Sequence, residues 1–179
     1  MKDKTRIVVL FSLVTIILTL VLFAIPGQFA QLIPIASVTK GSMGGYEFIF
    51  GGTVEARNLQ AHATDGAALV SGAGIAFLVI LVLAVVCYVM HKKSSALLLL
   101  AGIFMVVATI MLFCVKGWID TLYTHYKDSS VGLWVPYLSA SLLALSSIAT
   151  MYCAIKTLAE ESRQPYTPKK ETYSYLKNK

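Results

Sequence analysis

Four long stretches of this chain contain no Asp, Glu, Lys, Arg or His: residues Ile7–Ile25, Ala67–Met90, Ala96–Val115 and Val131–Ile155. Charged residues make up only 13% of the 179 positions, against about 25% in a soluble domain. Each stretch exceeds the roughly 18 apolar residues that cross a hydrocarbon core of about 30 Å. The absence of ionisable groups from them also excludes chemistry. Proton- or ion-coupled transport ordinarily needs an intramembrane acid, base or His, and none of the four stretches supplies one. Proline is missing from the middle of every stretch, so nothing marks a broken helix whose backbone would coordinate a solute.

Cysteine is scarce too. Cys87, Cys114 and Cys153 lie inside the apolar stretches or at their ends, are odd in number and form no CxxC pair. They are expected to be packing residues rather than disulfide partners or metal ligands. No phosphate loop is expected, since Gly41-Ser-Met-Gly-Gly45 lacks the terminal GK[ST]. His62, Asp65, Asp120 and His125 fall between the stretches, and their spacing follows no ligand pattern. The expectation is therefore no enzyme, no catalytic residue, no cofactor and no metal.

What the chain does have is hydrophobicity, with 57% apolar residues and a mean hydropathy of +0.74. The expected fold is an all-α membrane protein, a four-transmembrane-helix bundle over residues 1–158, with a flexible basic tail at 159–179. The apolar run Ile7–Ile25 is longer than the typical core of a signal peptide, about 7–15 residues. It is therefore expected to remain as a span. The net charge of +6 comes from position as much as from number. Lys2, Lys4, Arg6, Lys92, Lys93, Lys156, Arg163, Lys169, Lys170, Lys177 and Lys179 lie on one side of any four-span threading, 11 of the 15 basic residues. The positive-inside rule then expects both termini in the cytoplasm, and the expected location is the plasma membrane. The basic charge serves threading and attraction to anionic headgroups, and no nucleic-acid partner is expected.

The sizeable segment between stretches is Pro26–Gly66. Within it Tyr46, Phe48 and Phe50 alternate with Glu47 and Ile49, and Gly51-Gly52 separates them from the β-prone run Thr53–Arg57. That pattern predicts a β-hairpin with one aromatic face, and Gln31–Thr39 is placed as a possible third, edge strand because of Pro34. Tyr46, Phe48 and Phe50 are the candidate partner-binding residues, for the membrane interface or for another membrane or extracellular protein. Trp118, Tyr123, Tyr126, Trp134 and Tyr137 suit the membrane–water boundary.

The spans carry small and hydroxyl residues at helical spacing. Ser139, Ser146, Thr150 and Cys153 share one narrow arc of the fourth, opposite Leu138, Leu145, Ile148, Tyr152 and Ile155. Ser12, Thr15 and Thr19 fall together on the first, and Ala68, Gly72 and Ala76 form a small-xxx-small series on the second. Such residues let helices approach and hydrogen-bond across the contact, so they are candidate helix-packing residues.

Four spans with a long β-prone first loop resemble the claudin layout. That family's Trp…Gly-Leu-Trp…Cys…Cys signature is absent from the first loop, and the only Gly-Leu-Trp here is Gly132–Trp134. The stretch Gly45-Tyr-Glu-Phe-Ile-Phe-Gly-Gly52 resembles one in small four-span membrane proteins of low-GC Gram-positive bacteria. This likeness implies a four-span protein and carries over no activity and no site residue. The expected function is a structural or accessory membrane subunit that binds partners through residues 44–57. The alternative is a channel or transporter subunit, whose pore would require a homo-oligomer.

Overall fold

The computed structural model describes residues 2–32, 41–50, 72–122 and 134–163. Four helices in it are long and apolar enough to cross a membrane. They are α1 (Lys2–Phe23), α3 (Gly72–Met90), α4 (Ser95–Phe113) and α6 (Trp134–Arg163). Two short strands, β1 (Ala30–Leu32) and β2 (Gly41–Met43), and a six-residue helix α2 (Gly45–Phe50) lie between α1 and α3. A further short helix, α5 (Val115–Leu122), follows α4.

α6 packs along both α4 and α1, and α3 packs along α4. The side chains are distributed inside out relative to a soluble bundle. Ile7 is 66% exposed and Ser12 is fully buried. On α6, Leu138, Leu145, Ile148, Tyr152 and Ile155 face outward while Ser139, Ser146 and Thr150 are buried. Lipid tails are as apolar as leucine, so the large apolar side chains gain little by leaving them. Close packing and hydrogen bonding among small residues drive association instead.

Local chemistry sets the helix ends. Between α3 and α4 the chain turns within four residues. The His91 ring contacts the Tyr88 carbonyl, and the Lys93 N–H donates to Met90 O at 2.9 Å. Ser94, in extended backbone, caps α4 by accepting from the Ala96 N–H at 3.3 Å. Pro136 sits in the first turn of α6, where its missing N–H removes no ladder bond. α6 runs five residues past Leu158 into the segment expected as flexible tail. Ala159, Glu160 and Glu161 are good helix formers, and the Glu161 carboxylate accepts from the Ser95 hydroxyl at the start of α4. Residues 164–179 lie outside the described residues.

The expected hairpin is corrected. Tyr46–Phe50 belongs to α2, not to a strand, and its proposed partner Thr53–Arg57 lies outside the described residues. Glu47 is the reason. It stands at the third helical position and accepts the Gly44 N–H through Oε2 at 2.6 Å, half of a capping box with glycine as the N-cap. A short antiparallel pair does form upstream, with Ala30 opposite Met43, Gln31 opposite Ser42 and Leu32 opposite Gly41. The chain reaches it through Pro26-Gly27, where Gly27 adopts φ +66°, a left-handed conformation natural to glycine.

Candidate functional site

Two polar constructions stand out, one within the bundle and one at its cap. The first joins α1, α3 and α6. Ser146 Oγ donates to Ser12 Oγ at 2.8 Å, and Ser12 Oγ donates to the Val8 carbonyl at 2.9 Å. Ser12 also lies 3.0 Å from Thr150 Oγ1, and Thr150 lies 2.8 Å from the Tyr88 hydroxyl. Each hydroxyl has one proton, which fixes the direction of the chain. Ser12 spends its proton on Val8, so Thr150 donates to Ser12. Thr150 is then used, so Tyr88 donates to Thr150. Ser12 accepts twice and donates once, and all four donors are satisfied.

Along the contact between α1 and α6 the polar residues recur every seven positions on both helices, as in an antiparallel coiled coil. Cys153 Sγ donates to Thr5 Oγ1 at 3.4 Å, and Ser146 meets Ser12 one heptad further on. Extended by one more heptad on each helix, that register sets Ser139 of α6 against Thr19 of α1. Both are fully buried, and neither hydroxyl has a hydrogen-bond partner. Thr15, the third residue expected on this face, is buried and donates to the Phe11 carbonyl of its own helix at 2.9 Å.

The expected packing residues therefore divide. Ser146 and Thr150 are brought together with Ser12, and Ser139 is buried on the same seam. The series on α3 is corrected. Gly72 and Ala76 are exposed, a Cβ on Gly72 would meet nothing within 4 Å, and Ala68 lies outside the described residues. α3 instead buries Gly74, Phe77, Leu81, Ala84 and Tyr88, a face rotated from the expected one because three large residues on it fill the bundle. Gly102 was not singled out from sequence. A Cβ there would come within 2.7 Å of the Met151 side chain, so it marks the close approach of α4 to α6.

The second construction is the cap. Phe23, at the end of α1, meets Phe29 edge-on at 4.9 Å and stacks on Phe77 of α3 at 5.3 Å, while Phe29 stacks on Phe48 of α2 at 5.1 Å. α2 docks through glycines. A Cβ on Gly45 would lie 2.5 Å from the Phe23 ring, and one on Gly74 would lie 2.8 Å from Ile49. Glu47 is buried within this cap, with Oε1 accepting from the Tyr46 hydroxyl at 3.0 Å. That hydrogen bond pushes the Tyr46 phenol above its ordinary range, and burial and the carboxylate's charge act in the same direction.

The partner-binding candidates do not form one face. Phe48 is a core residue, Tyr46 is half-buried and Phe50 is 59% exposed. In a helix, residues four apart share a side and residues two apart do not, so the three rings expected to line up are split. Trp134, at the start of α6, donates from Nε1 to Gln28 Oε1 at 3.1 Å, and Tyr137 stacks on Phe113 at 6.2 Å. Both partly exposed rings lie at the cap end, where an aromatic belt belongs.

Cys87 is buried, Cys153 belongs to the seam, and Cys114 caps the end of α4 with an exposed side chain; all three are free thiols. Among the described residues, no cluster of His, Cys, Asp and Glu is arranged to hold a metal ion. His62, Asp65 and His125 lie outside the described residues, as does the side chain of Asp120. No family model matches the chain, and no curated protein matches it significantly.

Proposed function

We propose that this chain is a non-enzymatic integral membrane protein of the plasma membrane, a structural or accessory subunit that binds a partner protein through its cap. The observation that carries this reading is the closed hydroxyl chain Tyr88–Thr150–Ser12–Val8, with Ser146 feeding into it. Every proton in it is committed, and it pins α1, α3 and α6 in one register. Hydroxyls arranged to conduct a solute need free bonding capacity along a path. Here the donors are spent on holding helices together, which favours a scaffold and counts against a channel running through one protomer.

The distribution of basic residues supports the orientation. Lys4, Arg6, Lys92, Lys93, Lys156 and Arg163 lie at the end away from the cap, which the positive-inside rule assigns to the cytoplasm. The cap then faces outward. Phe50 becomes the partner-facing residue, beside Tyr46 on the same side of α2, and Phe48 supports them from below. Capture of an outer partner by crosslinking from a Phe50→Ser variant tests this. The variant should insert and fold normally while losing partner capture. Undiminished capture would overturn the assignment of the partner surface to α2.

A further inference from the structure

We infer that the third rung of the α1–α6 seam holds a single water molecule between Thr19 and Ser139. The first two rungs define the rule. Thr5 with Cys153 and Ser12 with Ser146 face each other at seven-residue intervals, and each pair is hydrogen-bonded. Thr19 and Ser139 continue that register. Both side chains are fully buried, yet neither oxygen reaches any partner. The two hydroxyls are therefore not hydrogen-bonded to one another, and a water between them would serve both.

The neighbours make the position a closed one. Towards the cap the next residues on the seam are Phe23 and Val135, and towards the middle of the bundle they are Ile16 and Leu143, all buried. With these apolar residues around them, and the buried Thr15 hydroxyl one turn away committed to the Phe11 carbonyl, Thr19 and Ser139 are left as the polar anchors, each able to donate and accept. A buried polar group without a partner is costly, and interior waters occur where two or more such groups converge. The seam is thus tied directly at two rungs and through water at the third. Thr15, whose hydroxyl is satisfied by the Phe11 carbonyl, provides an internal contrast.

The test uses the full-length protein in lipid nanodiscs, with Thr19→Val, Ser139→Ala and the double variant, each nearly isosteric. With a bridging water, each single change lowers the melting temperature by about 2–4 °C, and the double change costs less than the two together. Melting temperatures that stay level or rise would mean a dry rung whose unpaired hydroxyls are simply removed, and would overturn the inference. Water-edited solid-state NMR reads the site independently of stability. Magnetisation should pass from water to Thr19 and Ser139 but not to Leu143. Absence of transfer to both hydroxyl residues would equally overturn it.

Discussion

Ser12 is where the polar interior converges. It accepts from Ser146 and Thr150 and passes its own proton to Val8, whereas Tyr88 stands at the start of the chain and donates once. Removing these two hydroxyls should therefore have unequal consequences. Tyr88→Phe deletes one donor and leaves Thr150 still bonded to Ser12, a loss of about 0.5–1.5 kcal/mol. Ser12→Ala strips the acceptor from two buried donors at once and should cost more, about 1–3 kcal/mol. Reversible unfolding in mixed micelles ranks the two variants, and an equal or reversed order would contradict the proton assignment. The grouping of these hydroxyls was legible in the sequence, because Ser146 and Thr150 share an arc of one helix and Ser12 and Thr15 an arc of another. That the arcs meet was not legible, since helical periodicity orients a face without naming its neighbour. Tyr88 was hidden as well, because a single tyrosine near the end of an apolar run looks like any boundary aromatic.

The elements divide by how their glycines are used. Gly45 and Gly74 let α2 sit between α1 and α3, and added methyl groups would collide with Phe23 and with Ile49. Gly72, one half-turn from Gly74 on α3, faces open space. Gly74→Ala and Gly45→Ala should each destabilise the protein by about 1–3 kcal/mol through overpacking. Gly72→Ala should be neutral or stabilising, by up to about 1 kcal/mol from helix propensity. Thermal melts of the three purified variants check the contrast, which a uniform response would contradict. The four spans were readable because charge-free length is a strong signal. The cap was not, and its residues show why. Tyr46, Phe48 and Phe50 alternate over a stretch too short to distinguish a strand from one and a half turns of helix. The decisive signal was Glu47 three residues after Gly44, and a glycine N-cap disguises the capping box that serine or threonine would announce.

At the scale of the whole molecule, the chain is a bundle with an apolar core threaded by a hydroxyl seam, an apolar exterior, an aromatic cap at one end and a cluster of basic residues at the other. The hydroxyls tie α1, α3 and α6 together, the apolar surface suits lipid, and the proposed threading sets the cap outside and the basic end in the cytoplasm. All of it depends on the cap and the basic end lying on opposite sides of a membrane. Site-directed labelling tests that most directly. In a background with Cys87, Cys114 and Cys153 replaced by serine or alanine, single cysteines are introduced as Phe50→Cys, Lys93→Cys and Arg163→Cys. A membrane-impermeant maleimide is then applied to intact cells and to permeabilised ones. The account predicts labelling at position 50 in intact cells, and at positions 93 and 163 only after permeabilisation. Labelling of position 50 together with either of the others in intact cells would contradict it.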